Sequence, residues 1–275
     1  MDTKLQTIKN SLWAIAIAIA LLAVVVGLIS LMFKPYKGSN ESTGLSISGE
    51  DNSGVSTLAE VGTGVGVSRG ELKYLEETPD AGEEYVNSVY YLVDSTFIDL
   101  RNQAIVDTDH VWGSPNDSMP ISSVSTATIK YKDGSLITPA NAVMITKPDV
   151  LYIGIGTDGL ADVTEEEFVQ QYNTLIRDIK SASENTVIVC MALASVTEDY
   201  NSVDGMNLSM ISDGNDWVQY VCRDTGAYYL DIGVNLTAGT ALLSKYAAAN
   251  GKTLNKSGLN VVLDEIRTHE IVVVK

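Results

Sequence analysis

Cysteine and histidine are scarce in this sequence: two of each occur in 275 residues, with six prolines and three phenylalanines. Two cysteines cannot build a disulfide framework. Cys190 and Cys222 both sit in apolar contexts, VIVCMAL and WVQYVCRD, where a buried free thiol is the commoner state; one bridge between them stays open outside the cytoplasm. The histidines, His110 and His269, lie far apart and have no clustered cysteine ligands near them, so no metal site is expected. No cofactor is expected either. Positive charge is scarce as well, with 18 Lys and Arg against 35 Asp and Glu and a formal charge of -17. Nucleic acids and anionic lipid surfaces need clustered cations to displace counterions, so nucleic acid is excluded as a partner.

Charge is missing altogether from residues 12–33, LWAIAIAIALLAVVVGLISLMF. At about 1.5 Å rise per residue such a run crosses a hydrocarbon core of about 30 Å. A cleaved signal peptide is the rival, but the run exceeds an ordinary signal core and no small-x-small cleavage site precedes Lys34. We therefore expect a short cytoplasmic tail at 1–11, a transmembrane helix at 12–33 and an exported C-terminal part. Lys4 and Lys9 nearly balance Lys34 and Lys37, so the orientation rests on the short tail staying inside. Residues 34–80 shift to Gly, Ser, Thr and acidic side chains without apolar periodicity and read as a flexible linker. The domain is expected over 81–275.

Past Glu84, short runs that are apolar on both faces alternate with helical periodicity, the mark of a parallel sheet covered by helices. Strands are expected at 88–93, 150–154, 186–194 and 228–232. Helices are expected over 164–181, with Thr164 and Glu167 as a capping box, over 207–223 and over 257–268. TIKYKDGSLITP predicts a hairpin turning at Asp133-Gly134, followed by a helix begun by Pro139 and running to Lys147.

Gly154-Ile155-Gly156-Thr157-Asp158-Gly159 matches a dinucleotide-binding glycine pattern after a strand. Its context argues otherwise: the helix begins only at Thr164, with Glu165, Glu166 and Glu167 at its positive end, and the next strand ends without an acid for a ribose.

Residues 80–270 resemble the SGNH (GDSL-type) hydrolases, in particular a bacterial membrane-anchored branch. The carriers of the resemblance are Val93-Asp94-Ser95-Thr96 at the end of the first strand, Gly156-Thr157-Asp158-Gly159 after a later strand, and Asn250-Gly251-Lys252-Thr253-Leu254-Asn255-Lys256-Ser257-Gly258 before the last helix. The resemblance implies a three-layer α/β/α flavodoxin-like fold with a central parallel sheet. It places Ser95 at the nucleophile position and Gly113 and Asp158 at the oxyanion-hole positions. Asn250 and Thr253 stand where the family carries its aspartate and histidine, so the base pair is substituted, and an aspartate replaces the oxyanion asparagine.

A serine hydroxyl without a base is a poor nucleophile, and Thr253 cannot act as one. The hydroxyl of Ser95 is thus expected to lack a proton acceptor, unless His110 supplies one from the segment leaving the first strand. Three readings follow. One is a catalytically impaired hydrolase-like protein at the cell membrane that binds an envelope glycan or protein, with Tyr90, Tyr91, Trp112 and Trp217 offering stacking surface. The second is an active acetyl-ester hydrolase on envelope polysaccharide using Ser95. The third is a structural module of an envelope assembly.

Overall fold

The structure, a computed structural model, describes residues 69–200 and 205–273. The expected tail and transmembrane helix, and the linker up to residue 68, lie outside the described residues. Among those described, no helix is long and apolar enough to cross a membrane.

In chain order the elements are β1 (Lys73–Tyr74), α1 (Gly82–Ser88), β2 (Tyr90–Val93), α2 (Asp99–Asn102), β3 (Val111–Trp112), β4 (Ile129–Lys130), β5 (Leu136–Ile137), α3 (Pro139–Thr146), β6 (Val150–Gly154), α4 (Glu165–Ala182), β7 (Val187–Met191), α5 (Leu208–Thr225), β8 (Tyr228–Leu230), β9 (Thr237–Ala238), β10 (Ala241–Leu242) and α6 (Lys256–Arg267). Six strands form one sheet in the order β1-β8-β7-β6-β2-β3, every pair parallel. Setting β1 aside, the order β3-β2-β6-β7-β8 is the doubly wound 2-1-3-4-5 arrangement.

The central strands are buried on both faces, as their unbroken apolar runs require; β6 (VLYIG) is buried at every position. Three of the helices, all on one face of the sheet, begin at a side-chain cap. Thr164 and Glu167 close the capping box of α4, Asn207 caps α5 through Met210 N–H, and Thr138 caps the proline-led α3. The steps β6 to β7 to β8 all run one way across the sheet, so right-handed crossovers place α4 and α5 on one face, where α3 joins them. The step from β2 to β3 runs the other way, which puts α2 on the opposite face, and α6 packs against α2 and α1.

One boundary differs from expectation. Residues 69–80, assigned by composition to the linker, are ordered against the domain: Lys73 and Tyr74 pair with Tyr228 and Tyr229 as the sheet's edge strand. Arg69 lies 4.1 Å over the Tyr220 ring and 3.4 Å from Asp224, and Thr78 N–H donates to Thr268 O at 2.6 Å. A two-residue strand shows no periodicity, and these contacts are all to distant residues. Cys190 on β7 and Cys222 on α5 are free and buried; hydrogen bonding with Cys190 and then burial push the Cys222 thiol up.

Candidate active site

In a 2-1-3-4-5 sheet the chain leaves β2 and β6 in opposite directions, opening a crevice beyond their carboxyl ends. The turn after β2 carries Asp94 and Ser95, and the turn after β6 carries Gly156, Thr157 and Asp158. The register pairs Val93 with Gly154, so the two turns emerge side by side.

Asp94 joins them. It is 1% exposed; its Oδ1 accepts from Thr96 N–H at 3.0 Å, and its Oδ2 from the N–H groups of Gly156, Thr157 and Asp158 at 3.1, 2.9 and 3.3 Å. Burial, followed by the charge of Asp158, pushes its carboxyl up from 3.8 to about 6. This geometry also disposes of the dinucleotide pattern, because loop amides that would meet a pyrophosphate are already donated to Asp94.

Ser95 is half-buried, and its hydroxyl donates to Asp158 Oδ1 at 2.5 Å. The other oxygen of Asp158 accepts from Ser95 N–H at 3.2 Å and Met119 N–H at 2.9 Å. Lys252 Nζ lies 3.9 Å from Asp158 Oδ1. The expectation of a hydroxyl with no acceptor is therefore corrected: Ser95 has one, a carboxylate on the neighbouring turn. The resemblance makes position 158 an oxyanion donor lost to substitution; an aspartate there can also accept from the serine.

The remaining positions fall elsewhere. Asn250 Oδ1 accepts from the N–H groups of Lys252 and Thr253, both at 3.0 Å, and from Thr253 Oγ1 at 3.2 Å, so this pair is closed on itself. From this loop it is Lys252, and not Asn250 or Thr253, that reaches Asp158. Around it the framework is tightly built. Gly251 has φ +69° and no room for a Cβ beside Thr197 Oγ1, while Asn255 caps α6 through Gly258 N–H and donates to Lys245 O and Ala247 O. Gly113 is buried at the end of β3, where a Cβ would meet Ile98 Cδ1 at 2.2 Å, and its carbonyl accepts from Lys130 N–H.

His110 is not beside Ser95. It precedes Val111, which pairs with Tyr91, so it stands at the amino end of the sheet. That is roughly 16 Å along the strand direction from Ser95, at about 3.3 Å per residue. Its Nδ1 meets Asn87 O at 2.8 Å and its ring stacks 4.0 Å from Tyr90. His269 meets Glu265 O at 2.8 Å, as befits a residue at a helix C-terminus. Of the proposed stacking residues, Tyr91 and Trp112 are core, and Trp217 packs on Phe168.

No protein-family model and no curated protein sequence matches this chain. Among solved structures it is similar to a DUF4886 family protein from Bacteroides uniformis ATCC 8492, at 12% identity and TM-score 0.47, covering 66% of this chain and 82% of that one. It is also similar to a carbohydrate esterase family 3 protein from Talaromyces cellulolyticus, at 13% identity and TM-score 0.43, covering 64% and 92%. A third similarity is to a G-D-S-L family protein from Desulfitobacterium hafniense DCB-2, at 15% identity and TM-score 0.40, covering 65% and 97%. At these scores the likenesses carry no weight beside the sheet order and the geometry around Ser95.

Proposed function

We propose that this chain carries an SGNH-type hydrolase domain that has given up ester turnover and binds an envelope glycan or a protein partner. In this reading the 12–33 run anchors it in the cell membrane with the domain outside the cytoplasm. The observation that supports loss of turnover is the seat of Asp158. Its carboxylate takes the Ser95 hydroxyl and also the Ser95 N–H, the backbone donor that commonly steadies the oxyanion in serine hydrolases. A carboxylate is a far weaker base than the alkoxide it would have to create, and its negative charge opposes an oxyanion forming beside it.

The test is hydrolysis of p-nitrophenyl acetate and fluorophosphonate labelling by the full chain and by Ser95→Ala. Equal hydrolysis and no Ser95-dependent label are expected; labelling at the rate of a working esterase would overturn the reading. The 2.5 Å contact also favours one alternative, an active esterase with Asp158 as proton acceptor. Asp158→Asn separates the two, since it abolishes any Ser95-dependent rate in the alternative and leaves the background unchanged in ours.

A further inference from the structure

Away from Ser95, a cavity of about 350 Å³ opens beside the edge strand β3, lined among others by Arg101, Trp112, Lys130, Tyr131 and Lys132. Two hydrogen-bond donors in it are buried and unsatisfied. Trp112 is 1% exposed and its Nε1 has no partner; Arg101 donates from Nη2 to Asp117 Oδ1 at 2.7 Å, while its Nη1 is buried without a partner. Leaving such a donor unmade is costly, and folded proteins leave few of them.

Charge is concentrated here against the trend of the chain. The lining holds three cationic side chains and two carboxylates, Asp109 and Asp117, in a protein with 18 cations and 35 acids. Asp117 is itself engaged, by Arg101 and by Asn102 Nδ2 at 3.0 Å. Lys130 and Lys132 are exposed at the rim. What the cavity offers is therefore two unpartnered donors and an excess of positive over negative side chains, at a volume in the range of small-ligand pockets.

The geometry points to a binding site for an anionic oxygen group, the carboxylate of an acidic saccharide or the phosphate of a polyol phosphate, held by Arg101 Nη1, Trp112 Nε1 and the two lysines. It goes beyond the reading of the Ser95 site and stands whether or not Ser95 turns over an ester. Charge-assisted bonds to Arg and Lys supply the affinity, and the indole N–H, which can only donate, selects for an acceptor.

The experiment is a titration of the full chain, labelled with 15N at its tryptophan indoles, with digalacturonate, glycerol phosphate and neutral galactobiose. One or both anions are expected to bind and shift the indole N–H signal that Trp112→Phe removes, and the anion that does so identifies the source. Lys130→Glu combined with Lys132→Glu, both at exposed positions, is expected to weaken that binding tenfold or more without altering the far-ultraviolet spectrum. The proposal is overturned if neither anion moves the Trp112 signal, if galactobiose binds as well as the anions, or if the double variant binds unchanged. Because the readout does not involve Ser95, its failure leaves the esterase result untouched.

Discussion

The turn at Asp94 and the turn at 250–253 both resemble conserved blocks of a hydrolase, yet they hold their polar groups in opposite ways. Asp94 is buried and spends its carboxylate on four backbone N–H groups from two turns, so it is structural glue for the crevice. Asn250 is exposed and spends its amide oxygen inside its own loop, on Lys252 and Thr253. What the difference teaches is that a residue serving the backbone of distant segments is hard to replace, whereas one that serves only its own loop can change at little cost to the fold.

Breaking the first turn should have the largest effect. Asp94→Ala leaves buried N–H groups on both turns without an acceptor, and a loss of about 3–5 kcal/mol is expected from urea unfolding of the folded domain. The framework of the second region comes next. Asn255→Ala removes the cap of α6 together with the bonds to Lys245 O and Ala247 O, for an expected loss of about 2–3 kcal/mol in the same measurement.

An effect of similar size sharpens the comparison by pH. Asp94 has its carboxyl pushed up from 3.8 to about 6, by burial first and by Asp158 second. The folded state therefore holds the proton more tightly than the unfolded chain. The stability linked to it is fully present below the ordinary value and is lost as the pH rises through about 6. Measured as the difference between wild type and Asp94→Asn, stability should fall across that interval; a difference that is flat, or that grows with pH, contradicts the assignment. Smallest of all is Thr253→Ala, whose one side-chain bond is to a neighbour in the same loop, and a change within about 0.5 kcal/mol is expected by thermal melting.

Much of the scaffold is legible along the chain. The strand at Val150–Gly154 and the capping box at Thr164 and Glu167 are local signals, readable because the partners sit within a few residues. The same holds for the hairpin turning near Asp133-Gly134 and for the helix led by Pro139. β1 and β3 escape such reading because two residues carry no periodicity and their pairing lies across the sheet. So does α1, GEEYVNS, whose single fully buried side chain, Val86, gives no stripe. In the candidate site, Ser95 and Asp158 were legible as positions but not as partners, since 63 residues separate them. Lys252 carries no local sign of its role, because the carboxylate that it approaches lies 94 residues earlier in the chain.

By itself, then, the sequence determined the alternation of strands and helices, the caps of α3 and α4, and the strongly acidic net charge, because these depend on spacing and composition. Only the tertiary structure decided that the Ser95 hydroxyl meets a carboxylate, that His110 stands at the far end of the sheet, and that Arg101 and Trp112 share a cavity. Each of those depends on where the sheet sets segments of the chain relative to one another. The parallel sheet order, through the side on which each crossover returns, is what brings such groups together or holds them apart.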